Sequence, residues 1–559
     1  MRKSWSVAVA ALVVNGSPLM AADLVITGAK VMTMDEARPL AEAIAITGDR
    51  IVAVGSLAEL QTEITSSTLV YDLKGALVLP GFQDDHNHLV WSAAELQDIS
   101  LWDAATLDDL AVAIRDGATA SSEPWVRGTG WDLSAFPDQT LDRAFLDSLV
   151  PDRPAYFAAA DGHSAWVNSK ALELAGITAD TPDPDGGRIE RDASGAPQGL
   201  LRENAVALVG DLMPAYSHTQ VDTGLAEALA EANSYGITAI IDPKADDWML
   251  EGYQRFLDAG NLTVRVRAAV EVTDAAGIED VVARKAKYDS DMLSVNSVKV
   301  FVDGVIEAKT AAMIEPYVGD TTGGDLLITP AELAKITTAA EKAGLQMHFH
   351  AIGDLAVRVS LDAIAAAQAV SGPHDLRHQL AHLEVIDPAD IPRFAALGAI
   401  ANFQSLWAYP DSYITDLTEP VIGPARSEWL YPIGAVINAG GMIVGGSDWS
   451  VSSMNPLDAI QVGVTRQDAE DPEGRVLTPQ HAVPVTEMLK AYTVNAAYAA
   501  FREADTGTLS VGKLADIVVL DRDITAGVPT DIAKAQVLLT LLGGKAVYTK
   551  DGVVPTKKD

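Results

Sequence analysis

Leu79-Pro80-Gly81-Phe82-Gln83-Asp84-Asp85-His86-Asn87-His88 is the stretch on which the reading of this chain turns. It continues the apolar run Ala76-Leu77-Val78-Leu79, which reads as a buried strand. Histidines at i and i+2 on extended backbone project to the same side. Two neutral imidazoles placed that way can converge on one metal ion. The pair is then expected at the C-terminal end of a strand, where parallel α/β barrels keep their chemistry. A chance pair, or a hydrogen-bonded core pair, is the plain alternative. The rest of the chain has to decide between them.

Outward from this stretch, the middle of the chain alternates short apolar strands with Ala-rich helical segments, the pattern of a parallel α/β fold. Strands are expected at residues 263–270, 297–302, 345–350, 378–383, 398–403 and 442–446, and helices at 330–343 and 355–369. The count suits a (β/α)₈ barrel. Residues from about Trp125 to Met213 interrupt the rhythm and read as an insertion. Both ends are β-rich, with Leu24-Val25-Ile26, Ala43–Ile46 and Ile51–Gly55 at one and Ala515–Leu520 and Lys545–Tyr548 at the other. They are expected to build one small sheet domain together. The expected organisation is therefore 23–78 and 501–559 as that domain, and 79–500 as the barrel with its insertion.

Further strand ends carry residues able to bind a metal. Lys299 stands inside Val298-Lys-Val-Phe-Val-Asp-Gly, where a lysine is costly unless paired. Two readings are open for it: a salt bridge with a neighbouring carboxylate, or carboxylation by CO₂, which would turn the amine into a carboxylate able to bridge two metals. His350 ends a strand and has His348 on the same face. His382 lies in Leu380-Ala-His-Leu-Glu384, and Asp448 follows a Gly-rich strand end as a general-base candidate. Each of these histidines alone is more often a hydrogen-bonded core group than a ligand, and Asp448 alone reads also as a helix cap. The chain has only 10 histidines, and the four needed fall in order at strand ends. His218, His374 and His481 lie on polar stretches and are assigned nothing.

The composition narrows the classes of function. The chain has 559 residues, 48% hydrophobic and 21% charged, with a formal net charge of −37. That charge argues against nucleic acid, whose phosphates need a basic face, and against stable association with an anionic membrane. With no cysteine, disulfides, a thiolate nucleophile and Cys-ligated zinc are excluded. Met1-Arg2-Lys3, the apolar Ser6–Val14, the breaker Asn15-Gly-Ser-Pro18 and Ala21-Ala22 make a secretory signal over 1–22. The mature protein is expected in the periplasm or outside the cell. Its oligomeric state is left open, a homo-oligomer included.

Pro80-Gly-Phe-Gln-Asp-Asp-His-Asn-His88 resembles the first-strand signature of the amidohydrolase superfamily. More narrowly, the chain is similar to amidohydrolase family 3, the YtcJ-like metal-dependent hydrolases. The supporting motifs are Asp161-Gly-His-Ser-Ala-Trp-Val-Asn-Ser169, Val298–Gly304, His350-Ala-Ile-Gly-Asp354, Gly446-Ser-Asp448 with Asn455-Pro456 and Arg466, Thr493–Ala497 and Gly507–Asp516. The resemblance implies a TIM-like (β/α)₈ barrel with a small composite β-sandwich formed by both chain ends. It places His86, His88, His350, His382 and Asp448 at metal and catalytic positions, and Lys299 at that of the carboxylated lysine of binuclear members. Leu355, where relatives usually have Arg, and Trp449-Ser450, where many have Ala-Pro, are departures near the substrate mouth.

The expected chemistry is hydrolysis of a C–N bond, of amide, N-acyl or N-formyl type, on a small-molecule substrate. Zinc or a similar divalent ion, one or two per chain, would lower the pKa of bound water toward about 7. Asp448 would act as general base and then acid, with His382 or His163 donating to the developing oxyanion. His163, with Trp166 and Asn168, is expected at the substrate entrance, and Asn402 and Gln404 are expected to contact substrate. Ester, lactone or carbamate hydrolysis and deamination share this chemistry, and a non-catalytic binding or regulatory protein on the same scaffold is the alternative of another class.

Overall fold

Eight short parallel strands ring the centre of the computed structural model, which describes residues 21–136 and 141–557. They are β1 Phe82–Asp84, β2 Ile237–Asp242, β3 Arg265–Glu271, β4 Leu293–Phe301, β5 Gln346–Ala351, β6 Gln379–His382, β7 Ile400–Phe403 and β8 Met442–Gly445. Each pairs in parallel with the next. The ring is joined where the Asp85 N–H donates to the Gly445 carbonyl at 3.0 Å. Of the expected export segment, residues 1–20 lie outside the described residues. Ala22, by contrast, is buried, and its N–H donates to the Glu63 carbonyl.

Local sequence explains the helices between strands. The one over Pro330–Lys342 starts where Thr329 accepts the Glu332 N–H and Pro330 fills the first turn. It buries Leu333, Ile336, Thr337 and Ala340, one face of a 3.6-residue period, against the barrel. In β5 the period is two: Met347, Phe349 and Ala351 join the core shared with the helices. His348 and His350 therefore point the other way, into the barrel.

Both chain ends build a nine-stranded sheet. Leu24–Met32 is its hinge, pairing through its first half with Leu69–Asp72 and through its second with Leu77–Pro80. Ile26, Val31, Ile44, Val78, Ile517 and Leu539 fill the core between the halves. Arg265 of β3 fastens this unit to the barrel by two hydrogen bonds to Asp516, at 2.7 and 3.1 Å.

Two sequence expectations need correction. The apolar run before the histidine pair is not the barrel strand: Leu77–Pro80 pairs antiparallel with Ile517–Leu520 in the terminal sheet. It reads as doubly buried because it is. Leu77 and Leu79 pack into the barrel core and Val78 into the sheet core. Gly81 then hands the chain over to β1; a Cβ there would meet the Thr238 hydroxyl at 2.3 Å. The insertion is also larger than expected at its start. Its six-stranded sheet begins with Ile99–Ser100, which pairs with Val126–Trp131, and has its own core around Leu146, Phe157 and Trp166.

Candidate active site

The C-terminal ends of the barrel strands converge on one carboxylate. Asp448, just past β8, lies with Oδ1 3.3 Å from His86 Nε2 and 3.2 Å from His88 Nε2. Its other oxygen is 3.8 Å from His382 Nδ1. His86, His88 and Asp448 present ligand atoms that all lie within 4.8 Å of one another. The imidazoles of His350 and His382 are 4.4 Å apart between centroids, and those of His86 and His382 4.8 Å. The expected histidines from β1, β5 and β6 are thus brought together with Asp448.

Backbone geometry here is unusual. His382, Leu383 and Asp448 have φ of +78°, +55° and +55°. Each left-handed non-glycine residue costs on the order of 1–2 kcal/mol, so the surroundings must impose it. Leu383 is wholly buried, with its N–H on the Ala351 carbonyl, and the Asp448 N–H is held by the His86 carbonyl at 2.7 Å.

A layer behind these residues sets their orientation. Asp84 accepts from the His86 N–H at 3.2 Å and the Ser447 N–H at 2.9 Å with one oxygen. With the other it accepts from the Asn87 amide and the Ser447 hydroxyl. It therefore ties the end of β1 to the end of β8. His348 Nε2 lies 2.9 Å from His86 Nδ1, a contact that orients the His86 ring with its Nε2 toward Asp448. His350 Nε2 donates to the Gly304 carbonyl at 3.2 Å, which leaves Nδ1 free. Asp303 staples the loop behind it by accepting from the N–H groups of Ala312, Ile352 and Gly353.

Electrostatics favour the form in which these groups bind metals. Burial, with Lys299 nearby, pushes His86 down to about 3. Burial likewise holds His348, His350 and His382 well below the usual imidazole range. Burial would push Asp448 up, but His86, His88 and His382 around it hold the carboxyl well below its usual range. Neutral imidazoles facing an ionised carboxylate are a donor set for a divalent cation. The buried His86 Nε2 and His382 Nδ1 have no hydrogen-bond partner, so the residues fit such an ion. Lys299 is wholly buried on β4, its ammonium 4.6 Å from the centroid of Phe301. It forms no salt bridge among the described residues. Burial, opposed by Asp448, lowers it to about 8, so an appreciable fraction is the free amine that CO₂ requires.

Asp448, His350 and His382 floor a cavity of about 650 Å³. His163 lines it, 5.0 Å from His350 between ring centroids. Its Nδ1 lies 2.7 Å from Glu203, whose other oxygen accepts from Thr310. Trp166 does not meet the expectation for it. It is buried in the core of the inserted domain, with its indole N–H on the Asp142 carbonyl. Asn168 caps the helix Ser169–Leu174 instead. Asn402 and Gln404 do not line this cavity either. The Asn402 amide donates to the Asp85 carbonyl and to Gln379, and Gln404 donates to Asn402, so both knit the barrel seam. Sequence reasoning missed Glu203, Glu307, Glu384, Trp407 and Tyr431. Trp407 stacks on His382 at 5.7 Å and 4°. Only the Glu384 of Leu-Ala-His-Leu-Glu carried a signal, by standing two residues past a candidate ligand.

The profile of the amidohydrolase family matches residues 69–548. The chain is 31% identical to Protein LONG AFTER FAR-RED 3 of Arabidopsis thaliana, over 94% of this chain and 92% of that protein. It is 29% identical to the N-substituted formamide deformylase of Arthrobacter pascens, over 95% and 99% respectively. An uncharacterized metal-dependent hydrolase from Pyrococcus horikoshii OT3 shares the fold, with a TM-score of 0.71 at 22% identity, over 90% of this chain and 99% of that one.

Proposed function

Because the chain belongs to the amidohydrolase family, we propose that it is a metal-dependent hydrolase cleaving a C–N bond of amide, N-acyl or N-formyl type, with Asp448 as general base and then acid. The observation that carries this reading is the Asp448 carboxylate, met by His86, His88 and His382 at the floor of the cavity. The formamide deformylase among the relatives supports the choice of bond.

His86, His88, His350, His382, Asp448 and a carboxylated Lys299 would hold one or two divalent ions, zinc in our reading. When bound, the ion acidifies water and polarises a carbonyl. Asp448, ionised and buried, takes the proton from the attacking water and carries it to the departing nitrogen. His163, charged by its partnership with Glu203, donates a hydrogen bond to the developing oxyanion. His348 and Asp84 hold His86 and Asp448 in register. The insertion, which supplies His163, forms one wall of the cavity. We also read residues 1–22 as an export signal.

The test is hydrolysis by metal-loaded protein of a panel of N-formyl and N-acyl amides, with esters alongside. Amide cleavage is expected, lost to chelator and restored by zinc. Asp448→Asn is expected to retain metal, by elemental analysis, while turnover falls about 10²–10⁴-fold. Cleavage of esters alone would move the reading to another bond. No hydrolysis across the panel would overturn it.

A further inference from the structure

We propose that the cavity takes a substrate bearing a positively charged nitrogen a few atoms from the scissile bond, seated by Glu307 and Glu384 within a wall of aromatic rings. The proposal rests on the hydrolytic reading for what happens to that substrate, but not for its binding.

The cavity lining is acidic on every side. Nine of its residues are Asp or Glu against one lysine, and that lysine, Lys534, is already engaged with Asp531 at 2.7 Å. His163 does not offset the excess, because Glu203 holds it at 2.7 Å. Of the other acids, Glu470 is exposed and Asp132, Asp161, Asp411, Asp458 and Asp468 are half-buried, as is Glu307. Glu384 stands apart. Glu384 is 4% exposed, and one of its oxygens accepts from the Tyr431 hydroxyl at 3.0 Å. Its other oxygen, Oε2, is buried with no hydrogen-bond partner. Glu307 accepts from the Thr418 hydroxyl at 2.6 Å. Among the described residues, no lysine or arginine forms a salt bridge with either glutamate. Glu307 lines the same cavity as the buried Glu384, and a docked cation would supply the partner that Glu384 Oε2 lacks. An orphaned buried acceptor is destabilising, and a cation docking on it removes that cost.

The rest of the wall suits an organic cation. Trp407, Tyr409, Tyr413 and Tyr431 line the same cavity, and aromatic faces attract ammonium and amidinium groups. Trp407, stacked on His382, joins this wall to the metal ligands. Glu384 stands two residues past His382, a separation of about 7 Å at most along the backbone. A nitrogen held there lies a few atoms from a carbonyl held over Asp448. A calcium ion fits less well: it wants six to eight oxygen ligands, and two carboxylates with two hydroxyls fall short.

Two measurements test this. The first compares hydrolysis of N-formyl-1,5-diaminopentane with N-formylhexylamine, which replaces the ammonium by a methyl group. A ratio of kcat/KM of at least tenfold in favour of the cation is expected, carried mainly by KM, and Glu307→Gln and Glu384→Gln should each bring the ratio toward one. The second is calorimetry on the metal-loaded wild-type protein with choline and its neutral isostere 3,3-dimethylbutan-1-ol. A quaternary ammonium cannot ligate a metal, and this arm needs neither turnover nor a variant that folds. Choline is expected to bind at least tenfold more tightly. Selective choline binding without hydrolysis of either formamide would uphold the cation site and sink the hydrolytic reading. Hydrolysis at a ratio near one, with no preference for choline, would uphold hydrolysis and overturn this proposal.

Discussion

His163 carries a charge where the imidazoles beneath it do not. Burial alone would push it down, but Glu203 at 2.7 Å, helped by Asp161, wins and holds it up at about 9. As an oxyanion donor it acts in its protonated form. The donor is complete well below pH 9 and is lost as pH rises through that value, so kcat/KM should fall along an alkaline limb centred near 9. Glu203→Gln removes the largest opposing influence and leaves burial in place, so the limb should move to lower pH. A pH–rate profile on both proteins checks this, and an unmoved limb would remove His163 from the role. The two residues differ sharply in how legible they are in the sequence. His163 announces itself in Asp161-Gly-His-Ser. Glu203 lies forty residues on, with no motif, and only the pairing of neighbouring strands in the insertion brings it near. Trp166 misled for a related reason. It sits three positions from His163, and across a strand of period two an odd offset points a side chain to the opposite face. The candidate ligands were legible because buried histidines are scarce and these ended strands in order.

At the scale of elements, the seam between β1 and β8 is where strand geometry becomes site geometry. β1 has three residues, too few to hold a register by ladder bonds alone, and Asp84 and the Asp448–His86 backbone bond supply the rest. Gly446 sits against that seam. A Cβ there would meet His86 Cβ at 2.5 Å and His86 N at 2.8 Å. His86 cannot yield, being pinned by Asp84 in front and by Asp448 behind. Gly446→Ala is therefore expected to cost about 1–3 kcal/mol of stability in urea unfolding of metal-free protein, and to weaken zinc binding. Gly210→Ala is the control, since a Cβ there meets nothing within 4 Å; it should change stability by less than about 0.5 kcal/mol. Equal losses in the two variants would mean the seam carries no special constraint. The strands β3 to β8 could be read from the sequence because they are apolar runs between periodic helices. β1 could not, because three residues, two of them polar, make no run. Its neighbour Leu77–Pro80 took its place in the reading because it lies between two cores and looks like a barrel strand from either side. Ile99–Ser100 is shorter still, so the insertion seemed to start with its first long strand.

For the whole molecule the dominant fact is charge. Against 77 carboxylates the chain has 40 lysines and arginines, an excess of 37 negative charges. Two opposing effects follow from adding salt. Screening weakens the ion pairs, most of which are partly or fully exposed, as in Lys335–Glu332 and Lys534–Asp531; such pairs contribute about 0–1 kcal/mol each. Screening also relieves repulsion among the unpaired carboxylates, which folding brings closer together than they lie in the open chain. The second effect should win, because the unpaired excess nearly equals the number of pairs that could exist and repulsion acts over the full Debye length. That length falls from about 30 Å at 0.01 M to about 3 Å at 1 M, from a span wider than a domain to less than one side chain. The melting temperature of the metal-loaded protein should therefore rise from 0.01 to 0.5 M sodium chloride at pH 7 and flatten beyond it. Lowering the pH toward 5 at low salt should reproduce part of the rise, since it protonates the most crowded carboxyls first. Sodium chloride is the salt to use, because sulfate would stabilise any fold by exclusion from its surface. A melting temperature that falls with sodium chloride would show that the ion pairs, Arg265–Asp516 at the domain seam foremost, outweigh the repulsion.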